Sequence, residues 1–446
     1  MSSAKFVKIA KIIENRIDNG EYKPNSKLPT HRVLAAELET TPVTIAKAYN
    51  QLVDKGRVES YVGRGTYVCE NSNLGKAIQA PDHCDDFNFS ILQPCLYKNV
   101  NALKRVYTMT ADRMTSELIG YVEHSGHVAH RQAGSTWAKH FGLEGGNAAN
   151  TILTNGAQHA LSLLINALTK PGDTIAVECL TYPGIFAIAN LSGRNIVGVP
   201  MDEYGVSPEA LDSVISEHRP KLVVVIPSHQ NPTGITMPEF RREEIAEVIR
   251  KHRIWLVEDD IYCFLDEKPI PAISNFIPEQ SFHISALSKA ISPAMRCGYI
   301  KAPESQIALI NAHIRANIWL PSPMNFSAAT FLIESGEAFE LAQTQRIIAE
   351  ERQSLARQIL PSIQCRSTGY HIWLPIPSQW KAEHLVHEAK SQKLLVSSGS
   401  YFDVTGVEAG HIRLSLMSVS TEKRVKEGLT KLKSLLDSKV NTTFPF

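Results

Sequence analysis

IWLVEDDIYCFLDEKPIPAISNFIPEQSFHISALSK, residues 254–289, decides the fold of this chain. A β-rich apolar run, Ile254–Glu258, breaks into the acidic pair Asp259-Asp260, followed by Ile261-Tyr262. A second such run, Phe282–Ala286, leads into Ser288-Lys289. Two short apolar strands that each end in charged residues are the mark of a buried sheet whose carboxyl edge carries chemistry.

Working outward, Asn231-Pro232-Thr233-Gly234 lies 28 residues before Asp259, Lys289 lies 30 after it, and Arg296 follows 7 further on. Taken singly, each is ordinary: a lone lysine is usually a surface group, and Asn-Pro-Thr-Gly is usually a turn. Their order and spacing carry the signal. Thr174–Glu178, Leu222–Pro227 and Gly298–Lys301 read as further strands. Ala157–Thr169, Pro238–His252 and Gln306–Arg315 read as helices between them. The alternation predicts an α/β domain with a mostly parallel sheet.

A different pattern occupies the amino end. Phe6, Ile9, Ile12, Ile13 and Ile17 recur at helical spacing, and Asn19-Gly20 ends that helix. Thr30 is placed to cap a second helix with Leu34, Ala35 and Leu38 on its apolar face. Thr41 followed by Pro42 predicts a third helix start. Ile45, Ala48, Tyr49, Leu52 and Val53 form its expected buried stripe, with Thr44 and Lys47 facing outward and Gly56 ending it. Val58 to Val68 reads as a hairpin around Gly63-Arg64-Gly65. Residues 70–86 lack periodicity and read as a linker.

Composition sets bounds. At 446 residues, with 43% hydrophobic and 20% charged residues, the chain builds a sizeable core without staples. Net charge is +1, so no global bias toward nucleic acid exists, although residues 1–69 hold 11 Lys/Arg against 7 Asp/Glu. The 7 cysteines have no paired or metal-ligand spacing, which predicts reduced thiols, no metal site and a cytoplasmic protein. No signal peptide or transmembrane run is read, so no membrane partner is expected.

The run LPTHRVLAAEL…TIAKAY…GRGTYV within residues 28–68 resembles the GntR-type winged helix, with Ile45 where that family often has Val. The resemblance implies duplex DNA as a partner, with Thr40, Thr41, Thr44, Lys47 and Arg64 as candidate contacts. The series Asn231, Asp259, Lys289, Arg296 resembles fold-type I aminotransferases, which bind pyridoxal 5'-phosphate. That cofactor requires an imine-forming lysine, Lys289, and a carboxylate to keep its ring nitrogen protonated, Asp259. Tyr262 and Asn231 fit the phenolate donors, and Tyr182 fits the group stacked on the ring. Gly156, Ala157 and Gln158 fit a phosphate cradle at a helix start, completed by Ser288 and Arg296. Arg413, in His411-Ile412-Arg413-Leu414-Ser415, matches the arginine that grips a substrate α-carboxylate.

Together the two halves resemble the MocR/GabR-type subfamily of GntR regulators. The implied organisation is a winged helix (1–69), a linker (70–86) and an aminotransferase-like effector domain (87–446) with a smaller C-terminal α+β subdomain. The resemblance also implies a head-to-tail homodimer and an amino compound, or the cofactor itself, as effector. A working aminotransferase with an accessory DNA-binding domain is the competing reading; a fold that has lost its cofactor chemistry is a third, disfavoured by the presence of all four cofactor residues. Two departures stand out. Leu92, in Ser90-Ile91-Leu92-Gln93-Pro94, replaces a family glycine and is expected to crowd small substrates. Ala286 replaces a Ser or Thr, which removes one phosphate donor, with Ser285 adjacent. Tyr121 is a candidate to reach a partner subunit's cofactor phosphate.

Overall fold

The computed structural model describes residues 5–438 apart from 19–20, 24–25, 55–56, 62–64, 69–76, 79–85, 123–124, 364–366, 407 and 409. The chain divides into two compact units, residues 1–72 and 73–446.

The first unit packs three helices on a hairpin. Helix α1 (Lys5–Asp18) buries Ile9, Ala10, Ile13 and Ile17. Ile12, expected on that face, is 41% exposed, because the buried stripe follows positions 9, 13, 17 and 10 and leaves residue 12 on its trailing edge. Helix α2 (His31–Glu37) begins where the Thr30 side chain accepts from the Val33 amide. Helix α3 (Pro42–Asp54) begins on Thr41, whose Oγ1 accepts from the Thr44 amide at 3.3 Å. Ile45, Ala48, Tyr49 and Leu52 are buried; Val53, also expected inside, is 36% exposed at the edge of the stripe. The Tyr49 hydroxyl donates to the Pro29 carbonyl at 2.7 Å, tying α3 to the approach of α2. Strands β1 (Val58–Tyr61) and β2 (Gly65–Val68) pair antiparallel, and Gly65 has φ of 106°, a conformation glycine adopts without strain. The tip residues Gly63 and Arg64 lie outside the described residues.

The second unit opens with the short strand β3 (Phe87–Asn88). Its main sheet uses β4 (Thr151–Asn155), β5 (Thr174–Glu178), β6 (Asn195–Val199), β9 (Leu222–Val225), β10 (Trp255–Asp259), β11 (Ser281–Ala286) and β12 (Cys297–Lys301). The hairpin β7 (Met201–Asp202) and β8 (Gly205–Val206) lies beside it in the chain. The order is β4-β12-β11-β10-β9-β5-β6, all parallel except β12, which runs against both neighbours. Strands β9, β10 and β11 are buried almost throughout, as strands covered on both faces must be. One face packs on the helix Ala157–Leu168, and the other on Leu211, Ile245 and Ile249.

A smaller layer follows. Strands β13 (His371–Pro375), β15 (Ser397–Ser398) and β16 (His411–Ser415) form an antiparallel sheet, and β14 (Leu394–Leu395) pairs with β3. The helix Glu422–Leu436 buries Val425, Leu429 and Leu432 in the same cluster as Leu385, Ile412 and Leu414. The expected strand Leu222–Pro227 stops at Val225, because the Ile226 amide turns to Glu178 Oε1 at 3.2 Å and Pro227 has no N–H for a ladder. Among the described residues no helix is long and apolar enough to cross a membrane.

Candidate functional site

Strands β4, β5, β9, β10 and β11 all point their carboxyl ends toward one cleft, the edge of an open α/β sheet where ligands bind. Ala157, Gln158, Tyr182, Asn231, Asp259, Tyr262, Ser288, Lys289, Arg296 and Arg413 line it together. These residues span more than half the chain. Ile78, Ile91 and Leu92 add an apolar rim.

Gly156 caps the helix Ala157–Leu168 with φ of 79°. A Cβ there would come within 2.8 Å of the Arg296 guanidinium, so only glycine lets backbone and arginine approach this closely. Arg296 donates from Nη2 to the Asn155 carbonyl at 2.8 Å, which aims it over the same helix start. The helix amides and the guanidinium make an anion seat. Gly298 was not anticipated as part of it. A Cβ at Gly298 would press within 2.7 Å of the Gly156 backbone. Glycines at both positions were visible in the sequence, but their pairing across β4 and β12 was not.

At the end of β10, Asp259 is 3% exposed, and its Oδ1 has no hydrogen-bond partner among the described residues. Burial raises its carboxyl to about 7, with the neighbouring Asp260 charge adding to the rise and Lys289 opposing it. An unpartnered buried carboxylate oxygen calls for a donor, and a protonated pyridine nitrogen is one. Asp260 turns the other way. It lies 3.6 Å from His283 Nε2 and 3.9 Å from Arg242, which is wholly buried. Burial raises its carboxyl, but the nearby His283 and the Arg242 charge outweigh that and hold it low, although neither of its oxygens makes a hydrogen bond among the described residues.

Lys289 Nζ donates to the Leu92 carbonyl at 2.7 Å and lies 5.9 Å from the centre of the Tyr262 ring. Burial lowers its ammonium to about 8, the positive charge of Arg413 helping and Asp259 resisting. Roughly a tenth is therefore neutral, nucleophilic amine at pH 7, far more than for an ordinary lysine. The backbone of Leu92, flagged by sequence for its side chain, is thus what holds the lysine. Tyr262 is buried and its hydroxyl is pushed far up by desolvation, which keeps it a donor. The Tyr182 ring covers Gly184, where a Cβ would lie 2.2 Å from ring carbon Cε1.

Arg413, on β16, is 2% exposed. Its guanidinium donates to Asn231 Oδ1 at 2.9 Å, to the Ala77 carbonyl at 3.2 Å, to Ser397 Oγ at 3.3 Å and to the Ser90 carbonyl. Because arginine only donates, Asn231 must turn its oxygen to it, which leaves Nδ2 as the donor for the cleft. Ala77, Ser90 and Ser397 were not anticipated. Their contribution is largely backbone, which no side-chain motif announces.

Ala286 belongs to the apolar cluster behind the sheet, and Ser285, on the opposite face of β11, is not among the residues lining the cleft. Tyr121 is 83% exposed and meets Trp319 edge-on at 5.5 Å, away from this chain's own cleft.

In the first unit, Thr41 and Thr44 hydroxyls bond each other at 2.8 Å, and Lys47 is exposed. Thr40 is half-buried, its amide donating to Ala35 at 2.9 Å. Arg64 lies outside the described residues. Val43, missed earlier, is 66% exposed on the first turn of α3, four residues before Lys47. An apolar residue off the buried stripe was the available signal, and such a group suits a thymine methyl.

The anion seat, the unpartnered carboxylate and the buried lysine fit pyridoxal 5'-phosphate, so fold and cleft together define a fold-type I, cofactor-dependent aminotransferase domain. The model for aminotransferase class I and II matches residues 85–432, and that for bacterial regulatory proteins of the gntR family matches residues 6–68. The chain therefore belongs to the class I and II aminotransferase family and carries a GntR DNA-binding domain, the composition of MocR-type transcription regulators. It is 27% identical over 432 residues to the "Uncharacterized HTH-type transcriptional regulator YdeF" of Bacillus subtilis, covering 95% of this chain and 93% of that one. The regulator YdfD of the same organism is 26% identical over 465 residues, with 96% and 95% covered. Among solved structures, the α-aminoadipate aminotransferase LysN of Thermus thermophilus superposes with a TM-score of 0.72 at 20% identity, covering 82% of this chain and 97% of that one.

Proposed function

We propose that this protein binds an operator through residues 1–69 and senses an amino compound, or pyridoxal phosphate itself, in the domain 87–446, with 70–86 as the connecting linker. The observation that carries the reading is a buried lysine and a buried arginine in one cleft on a chain that begins with a DNA-binding domain. When bound, the cofactor supplies an aldehyde for Schiff-base exchange and an electron-withdrawing ring. Lys289 offers a neutral amine, Asp259 holds a proton at the ring nitrogen, and Tyr262 and Asn231 donate to the phenolate oxygen. Gly156, Ala157, Gln158, Ser288 and Arg296 seat the phosphate, Tyr182 covers the ring, and Arg413 receives a carboxylate. Thr44, Lys47 and Val43 meet base edges, while Thr40, Thr41 and Arg64 serve the DNA backbone.

The working form is a head-to-tail homodimer in the cytoplasm. Exposed Ile119, Tyr121 and Trp319 support an apolar contact between copies. Gel shifts on the upstream region of its own gene, with and without pyridoxal phosphate and each common amino acid, test the reading. A ligand-dependent change in affinity is the expected result; no DNA binding at low salt, or binding that no ligand alters, overturns it. The lowered Lys289 also favours a second reading, slow transamination, which turnover with an amino acid and a 2-oxo acid would reveal.

A further inference from the structure

The residues just past the DNA-binding unit enter the cleft. Ala77 is 1% exposed, and its carbonyl accepts two hydrogen bonds, from Ser397 Oγ at 2.6 Å and from Arg413 Nη2 at 3.2 Å. Ile78 follows on the wall of the same cleft. A main-chain oxygen therefore sits on the guanidinium that would receive a carboxylate. Among the described residues, Arg413 Nε, buried beside it, has no hydrogen-bond partner. The arrangement is under-satisfied: the arginine faces four neutral acceptors and no anion among its bonded partners. A carboxylate offers charge-assisted bonds roughly twice as strong as a neutral carbonyl's, and in a bidentate geometry.

We propose that Ala77 is an internal competitor for the effector site: an α-carboxylate binding to Arg413 displaces the Ala77 carbonyl and expels Ala77–Ile78 from the cleft. This rests on the sensing function proposed above and names its coupling element. Residues 77 and 78 lie on the only covalent path from the cleft to the winged helix, so their release changes the tether and not the fold of the DNA-binding unit. Displacement also gives the effector differential affinity for two states, the condition any ligand must meet to shift an equilibrium. By linkage, whatever holds Ala77 in place weakens the apparent affinity for the effector. With Ile78 gone, Ile91 and Leu92 remain as an apolar rim, which suits a ligand with a largely apolar side chain.

The probes are the common L-amino acids, each paired with the amine left on its decarboxylation, added to full-length protein loaded with cofactor. Visible absorbance reports reaction at the cofactor, and hydrogen exchange of the peptide containing Ala77 reports its release. The best amino acid should speed that exchange at least tenfold, while its decarboxylated partner perturbs absorbance and leaves exchange unchanged. Ser397→Ala removes one of the two donors holding Ala77. It should tighten the apparent affinity for the amino acid about fivefold, the factor matching one ordinary hydrogen bond. A changed absorbance with no change in exchange, or a Ser397→Ala variant that binds more weakly, overturns the displacement and leaves the sensing function standing. If no amino acid changes the absorbance, the displacement falls, while the sensing function then rests on pyridoxal phosphate as effector and is decided by the gel shifts with and without it.

Discussion

Replacing Asp259 by asparagine should stabilise the empty protein and weaken it as a cofactor binder. The carboxyl is buried, lacks a partner at Oδ1, and is raised from 3.8 to about 7. A rise of that size corresponds to roughly 4 kcal/mol of disfavoured ionisation. The unfolded chain releases this proton near the ordinary carboxylate value, whereas the folded chain keeps it to about 7. The destabilisation is therefore absent below pH 4, grows between 4 and 7, and is constant above 7. The attraction to Lys289 is already contained in that rise, so the net gain for Asp259→Asn is about 4 kcal/mol at pH 8, or roughly 5 °C in melting temperature for a unit this large. Thermal melts of cofactor-free protein from pH 4 to 9 check this. The variant should match the native chain at pH 4 and exceed it by a gap that opens to pH 7 and then holds. Saturating cofactor should reverse the order, since only the native carboxylate pairs with a protonated ring nitrogen. An empty Asp259→Asn variant that is no more stable at pH 8, or a gap independent of pH, refutes the reasoning.

Asp260→Ala should behave oppositely, losing about 3–5 kcal/mol with or without cofactor because it strands the wholly buried Arg242, as denaturant melts would reveal. Borohydride reduction of the loaded protein should fix the cofactor on the peptide carrying Lys289, and Lys289→Ala should abolish the adduct; an adduct on another lysine refutes the assignment. Lys47→Ala should alter preference among operator variants by about 1–3 kcal/mol if it reads a base, or lower the salt slope by about one if it meets a phosphate. Competition gel shifts across salt distinguish these and exclude a role if neither changes. Arg413→Ala should blunt the response to a carboxylate-bearing effector; an unchanged response in titrated gel shifts removes Arg413 from the effector site.

The winged helix was legible because its signals are local. Thr30 and Thr41 cap, Pro42 starts a helix, and the 45–52 stripe needs only helical periodicity. Misreadings fell at stripe edges, Ile12 and Val53, where neighbours and not period decide burial. The cofactor cleft was legible for a related reason: each strand of a parallel sheet delivers its carboxyl end to one edge, so Asn231, Asp259 and Lys289 announce themselves in order. Sequence by itself thus determined the two folds, the cofactor and the side chains that meet in one cleft. Tertiary structure alone decided what those side chains experience. That Asp259 lines the cleft while Asp260 lies within ion-pair reach of Arg242 and His283 depends on which way each turns at the strand end. The carbonyls of Leu92 and Ala77 on Lys289 and Arg413 are main-chain atoms brought from far along the chain, identical in every residue type and so silent in any motif. Desolvation, which sets both Asp259 and Lys289 near neutrality, is a property of the assembled interior and of no segment within it.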